Sequence, residues 1–149
     1  MADPIISVGT TLGMVASSPA TYDSAGFAAL TFVTVGEITN MGDVGGTAQI
    51  VENTTLQSGI IGKYKGSINY GSAPITIGKD ATDAGQVLLK AAFDGADRDT
   101  EHSFAITDSN GDITYFSGLV SSYVKSTGDA NTVRMLNTTI ELNNELIEA

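Results

Sequence analysis

A chain of 149 residues with seven Lys and Arg against 17 Asp and Glu, and a formal charge of −10, has a surface that repels phosphate, so the clustered cations that nucleic-acid binding needs are missing. The length suits one domain burying roughly 70% of the surface its unfolded chain would expose, and the absence of cysteine excludes disulfides, thiolate metal sites and a cysteine nucleophile. With 42% hydrophobic but only 16% charged residues, and much of the remainder Gly, Thr, Ser and Asn, the composition points to a mainly β fold of antiparallel strands.

Residues 1–20 carry no basic segment, and Asp3, Pro4, Gly9 and Gly13 interrupt their apolar run, so neither a secretory signal nor a membrane span is expected and synthesis and residence in a cytoplasm are. Strands are expected over Ile5 to Val8 and Met14 to Ser17. After a connection containing Pro19, Asp23 and Gly26, the run Leu30 to Ile38 alternates Thr31, Val33 and Val35 with Phe32, Thr34 and Gly36, which suits a strand covered on both faces. From Gly36 to Gly71 the chain holds eight of its 17 glycines together with Ile50, Val51, Leu56, Ile60 and Ile61. A stretch that is both flexible and apolar at this length is functional or waits for a partner to order it. It reads as an arm over about residues 39–65, a Gly-rich loop or hairpin in which Ala48 to Thr54 is extended and Ile60 to Tyr64 pairs back on it, for gripping a neighbour.

Ile68 to Tyr70 and Ala73 to Ile77 are expected to return to the core. One short flanking helix is expected over about residues 81–93, capped by Asp80 or Thr82, favoured by Asp83, ended by Gly95, with Ala84, Val87, Leu88, Ala91 and Ala92 as its apolar stripe. His102 to Thr107 and Ile113 to Ser117 form a hairpin through Asn110-Gly111. Leu119 to Lys125 and Thr132 to Leu142 form a second around Thr127-Gly128-Asp129, with Arg134, Leu136, Thr138, Ile140 and Leu142 on one face.

No catalytic, cofactor or metal site emerges. His102 is the only histidine and no serine occupies a G-x-S-x-G elbow, so a nucleophile–base pair is not expected. Gly59, Gly62 and Lys63 lack the spacing of a phosphate loop. Asp94, Asp97, Asp99 and Glu101 read as a solvated acidic turn. Asp108, Asn110 and Asp112 fail as a calcium loop, because Gly111 falls at the fourth position and Leu119 stands where a twelfth-position ligand belongs.

Tyr22-Asp23-Ser24-Ala25-Gly26-Phe27, then Phe32 to Ile38, the Gly-rich arm, Asp83-Ala84-Gly85-Gln86 opening a helix, and the closing segments Tyr115 to Ser121 and Thr139 to Leu142 resemble, in their order, the tail tube proteins of long-tailed bacteriophages. The resemblance spans nearly the whole chain and rests on no obligatory chemical residue. It implies a β-sandwich or partial barrel as a single tube domain without the appended immunoglobulin-like domain of some relatives, forming hexameric rings that stack into the noncontractile tube of a virion tail. In that frame Asp43, Ile50, Val51, Leu56, Ile60, Ile61, Lys63 and Lys65 are the expected inter-ring arm contacts, with Asp43 pairing Lys63 or Lys65 across rings, and Glu37, Glu52 and Glu141 the expected acids of a lumen through which DNA passes without specific binding. Further copies, a tape-measure protein, the tail terminator and distal tail proteins are the implied partners; no cofactor and no membrane are. The inner tube of a contractile tail or secretion machine is the nearest rival reading, and a monomeric β-sandwich binding module, which leaves the apolar arm unexplained, the next.

Overall fold

The computed structural model describes residues 6–95 and 101–149. In chain order the elements are β1 (Thr11–Val15), α1 (Ser24–Ala28), β2 (Val33–Val35), β3 (Ile38–Met41), β4 (Thr47–Thr54), β5 (Ile61–Asn69), β6 (Ser72–Gly78), α2 (Ala84–Asp94), β7 (His102–Thr107), β8 (Ile113–Ser126), β9 (Met135–Leu142) and β10 (Ile147–Glu148). Eight strands form one antiparallel sheet in the order β2-β1-β7-β8-β9-β6-β3, with β10 added to β8, while β4 and β5 pair only with each other.

β2 and β3 stand at opposite ends of that order, yet only Gly36 and Glu37 separate them in the chain. The sheet must therefore curl until its two ends nearly meet, giving a partial barrel that does not close. Glu37 makes the corner with φ 62°, the one non-glycine positive φ among the described residues. β8 makes the other corner: Ile113 to Gly118 pair with β7, and from Gly118 onward the same strand pairs with β9. A side chain at Gly118 would run into the Glu141 carbonyl, and an extra residue between Val120 and Ser122 bends the strand further.

Inside the curl lie Leu12, Met14, Ile77, Leu89, Phe104, Phe116, Leu136 and Ile140, all fully buried. On β9 the expected alternation holds for Leu136, Thr138, Ile140 and Leu142, but Arg134 precedes the strand and is exposed. A second cluster covers the outer face of β7 and β8: Phe27 stacks on Tyr115 at 5.2 Å and meets Tyr22 edge-on at 5.1 Å, with Leu30 and Phe32 alongside. The Asp23 carboxylate starts this covering segment by accepting the Gly26 N–H at 2.7 Å. Phe27→Ala should cost about 3–5 kcal/mol of stability, as large aromatic truncations in packed cores do; a chemical denaturation curve indistinguishable from wild type would show that this cover is dispensable.

Several expected elements move. Ile5 lies outside the described residues, Ile6 and Val8 are 76% and 78% exposed and form no strand, and the Met14–Ser17 strand is found at Thr11–Val15. Leu30 to Ile38 is no continuous two-faced strand. Its regular part is the three-residue edge strand β2, with Val35 buried and Thr34 exposed, followed by the Glu37 corner. Ile113–Ser117 and Leu119–Lys125 are one strand. The β7–β8 turn is a hydrogen-bonded turn from Asp108 to Gly111 with only Gly111 at positive φ (96°), closed by Asp108 N–H to the Asp112 carbonyl at 2.8 Å.

The helix differs most. Its N-cap is Asp83, whereas Asp80 ties down the preceding turn by accepting the Thr82 hydroxyl and N–H at 2.7 and 3.0 Å. The buried face is Gly85, Gln86 and Leu89, and Val87, from the expected stripe, is 55% exposed. A polar lock sets this rotation. Gln86 donates to the Gly78 and Gly36 carbonyls at 2.9 and 3.4 Å and accepts the Asp80 N–H at 2.9 Å, while the Asp83 carboxylate accepts the Gly36 and Gln86 N–H groups at 3.1 and 3.0 Å. The start of α2 thus holds the β2–β3 corner where the barrel is open.

Hydrogen bonds from Gly26 N–H, from the Thr82 hydroxyl and from the Thr132 hydroxyl hold the Asp23, Asp80 and Asp129 carboxyls below their ordinary range. Each favours the folded state above its unfolded value of about 3.9 and loses that contribution as pH falls through its lower folded value. The thermal midpoint should decline below about pH 4, and Asp23→Asn, which still caps but does not titrate, should soften that decline; an unchanged acid profile would contradict the cap's share.

Candidate functional site

The site is a projecting hairpin, and its root explains why it projects. Pro74 on β6 has no N–H to give, so the β3–β6 ladder ends at Met41 and Ile75. The next residue, Gly42, donates to the Pro74 carbonyl at 2.7 Å and lies so flat on the proline that a Cβ would sit 2.5 Å from Pro74 Cγ. The outgoing and returning chains then cross closely: a Cβ on Gly46 would lie 3.0 Å from the Asn69 carbonyl oxygen, and Gly71 turns at φ 78° with its N–H on Asn69 Oδ1 at 2.9 Å. Val44 and Tyr70 pack against the core and anchor both legs.

Beyond the root, β4 and β5 run antiparallel with a bulge between Ala48 and Ile50. Cross-strand pairs share a face, so Ile50–Lys65, Glu52–Lys63 and Thr54–Ile61 lie on one side and Val51–Tyr64 and Asn53–Gly62 on the other. The tip turns through Gly59 at φ 65°, with Gly59 N–H on the Thr55 carbonyl and the Thr55 and Ser58 hydroxyls 2.7 Å apart.

The five apolar residues expected on the arm, Ile50, Val51, Leu56, Ile60 and Ile61, are all exposed, and so are Tyr64 and Ile68. The hairpin itself spans 47–69. Thr39 to Met41 belong instead to the main sheet, and Ile68, expected in the core, sits on the returning strand opposite Ala48. Period-2 alternation continued through Lys65 would have extended the strand to Ile68; Gly66 at the bulge hid it. Seven large apolar side chains on one two-stranded ribbon far exceed the scattered exposure normal for a soluble surface.

The charged residues expected to act here are spread out. The ion pair found among the described residues is Lys90–Asp94 at 2.6 Å, so Asp43 makes none with Lys63 or Lys65 in its own chain. Glu52 faces Lys63 on the arm. Glu37 sits beside Gly78, which donates to its carbonyl at 2.7 Å, and Glu141 is opposite Ser72. Those positions mark the two ends of β6, about 20 Å apart at strand rise, so the three acids do not converge. Glu141 does share the outward face of β9 and β6 with Ser72, Pro74, Thr76, Asn137 and Thr139, which carries no cation.

Other candidates of the sequence resolve as structure. Asp112 N–H and Asp112 Oδ2 engage Asn110 within its turn, and Glu101 accepts from Ser117 and Asn143; Asp97 and Asp99 lie outside the described residues. His102 opens β7, half-buried. Among the described residues no three His, Asp or Glu side chains gather to hold a metal, and no helix is long and apolar enough to cross a membrane.

No protein-family model matches the chain, and no curated protein does. Solved structures match over its whole length. A chain from the cryo-EM structure of the anti-feeding prophage baseplate aligns with 100% of this chain and 97% of its own, at TM-score 0.68 and 9% identity. One from the sheath/tube terminator of the PVC extracellular contractile injection system aligns over 99% and 98% at TM-score 0.69 and 10% identity. The SPP1 tail tube aligns over 98% of this chain and 80% of its own, at TM-score 0.63 and 17% identity. At these identities the agreement is one of fold.

Proposed function

We propose that this chain is a structural tube subunit of a phage tail or injection machine, without catalytic activity, that assembles as hexameric rings stacked into a hollow tube. The observation that carries the reading is the apolar hairpin standing clear of a fold shared with chains from such machines. Ile50, Val51, Leu56, Ile60, Ile61 and Tyr64 reach a neighbouring ring and are buried there, while β2 leaves a sheet edge for contacts within a ring. Head-to-tail contacts of this kind close into rings around the axis and repeat without closure along it.

Between the two machines, the inner tube of a contractile system is favoured by the match in length, 97% and 98% of those chains against 80% of the SPP1 subunit. The noncontractile tail expected from the sequence keeps the support of the higher identity to the SPP1 tube. In either, the cation-free outer face of β6 and β9 with Glu141 lines the lumen, with Glu37 and Glu52 as the further acids expected of its wall. Such a wall repels phosphate over roughly the 8 Å Debye length at physiological salt and offers passing DNA no Lys or Arg to bind. Tape-measure, terminator and distal proteins are the partners at the ends, met during assembly in the producing cell.

Purified protein imaged by negative stain over a range of concentrations, with parallel light scattering, tests the reading. Six-fold rings or tubes are expected, and a sheath subunit from the same genome that coats them identifies the contractile form. A chain that stays monomeric at all concentrations, even with its neighbouring tail proteins added, overturns it.

A further inference from the structure

The hairpin is cationic on an acidic body. Over 47–69 it holds Glu52 against Lys63 and Lys65, a net +1, which leaves −11 on the rest of a chain whose total is −10. Both lysines lie on the face that also carries Ile50 and Ile61. A segment of opposite sign to its own protein is suited to a second copy of that protein.

The surface that matches it lies along β3. This strand pairs with β6 on one side only, and a cleft of about 460 Å³ is lined by Ile38, Met41, Asp43 and Val44 together with Ile106 and Asp108. No β6 residue lines the cleft, so it lies on the side of β3 away from its partner strand. Its charged residues are two carboxylates with no cation among them, set between apolar side chains. The arm's own residues are absent from this lining and stand exposed.

We infer that the cleft beside β3 receives the lysine face of the arm from a second copy of this chain, with Ile50 and Ile61 on its apolar wall and Lys63 and Lys65 against Asp43 and Asp108. This rests on the tube reading and adds to it the acceptor surface and the force that selects it. Attraction between unlike charges speeds the encounter and is weakened by salt, so assembly is faster in dilute buffer. The −10 charge of the whole chain alone has the opposite effect, since salt then relieves repulsion. The sign of the salt dependence therefore separates the two.

The test compares polymerisation rates of four chains by light scattering between low and high salt, with grids to confirm tubes: wild type, Lys63→Glu/Lys65→Glu, Asp43→Lys/Asp108→Lys, and all four changes together. Wild type should slow with salt, each double variant should assemble roughly tenfold more slowly, and the combined chain should return close to the wild-type rate. Because the chain has no cysteine, mixing a Lys65→Cys chain with an Asp43→Cys chain gives a second readout, a disulfide-linked pair that a Lys65→Cys and Asp23→Cys mixture does not form. Tubes that form normally in both double variants, or a combined chain no faster than either, overturn the cleft while leaving the tube reading intact. Wild-type protein that forms no tubes, together with a Lys65→Cys and Asp43→Cys mixture that forms no cross-link, overturns both.

Discussion

Replacing Gln86 by alanine is expected to lower the melting temperature by roughly 6–12 °C, taking about 3 kcal/mol at 2–4 °C per kcal/mol for a chain of this size. The side chain is 1% exposed, and its removal strips partners from the Gly36 and Gly78 carbonyls and the Asp80 N–H at one place. A buried polar group left unpaired costs about 1–3 kcal/mol, and these three sit at the corner where β2 and β3 make no ladder with each other. Gly85→Ala should be comparably harmful for a different reason. Its Cβ would lie 2.5 Å from Val35 Cα and 2.6 Å from the Thr34 carbonyl oxygen, both backbone atoms that move only if β2 moves. Circular dichroism melts measure both, and a shift below about 2 °C for Gln86→Ala, near 0.5 kcal/mol for this chain length, would mean that the corner is held by packing alone.

The triple change Leu56→Ser, Ile60→Ser and Ile61→Ser should do the reverse, leaving the isolated subunit's melting point unaltered while abolishing tubes. These side chains already face water over half or more of their surface in the monomer, so the folded subunit loses little burial. Once covered by a neighbour, each contributes about 1.5–3 kcal/mol. Losing about 5 kcal/mol per contact lowers the association constant more than a thousandfold. Sedimentation and electron microscopy of the variant decide the matter, and tubes of normal length would remove the arm from the assembly. Together the two experiments separate the residues that make the subunit from those that join subunits.

The strands with strict alternation were legible from residues alone. Leu136, Thr138, Ile140 and Leu142 announce the inner face of β9. The helix was legible as a helix, but its rotation was not. An apolar stripe is the only signal that periodicity carries, and here a glutamine and a glycine face inward because a barrel corner needs a donor and close approach. Glu37 at positive φ was hidden for a similar reason, since nothing local distinguishes a corner from the middle of a β-branched run. Of the site, the apolar arm residues were readable because a long glycine-rich stretch carries them. Asp43 was readable as an arm contact, but the cleft it lines was not, because Asp43 and Asp108 meet only through the curl of the sheet.

The clamped root and unsupported strands of the hairpin also make a mechanical element. Two legs are held at Gly42–Pro74 and at the Gly46–Asn69 crossing, and eight residues of β4 extend from there, about 26 Å at strand rise. Such a beam is fixed at one end and bears load at the other. It is stiff along the strands, where backbone bonds would have to stretch, and compliant across the ribbon, where a two-stranded sheet twists easily. In the proposed tube, a column of rings joined by these beams would resist pulling along its axis yet yield sideways, bending by flexing its arms while every partial barrel keeps its shape.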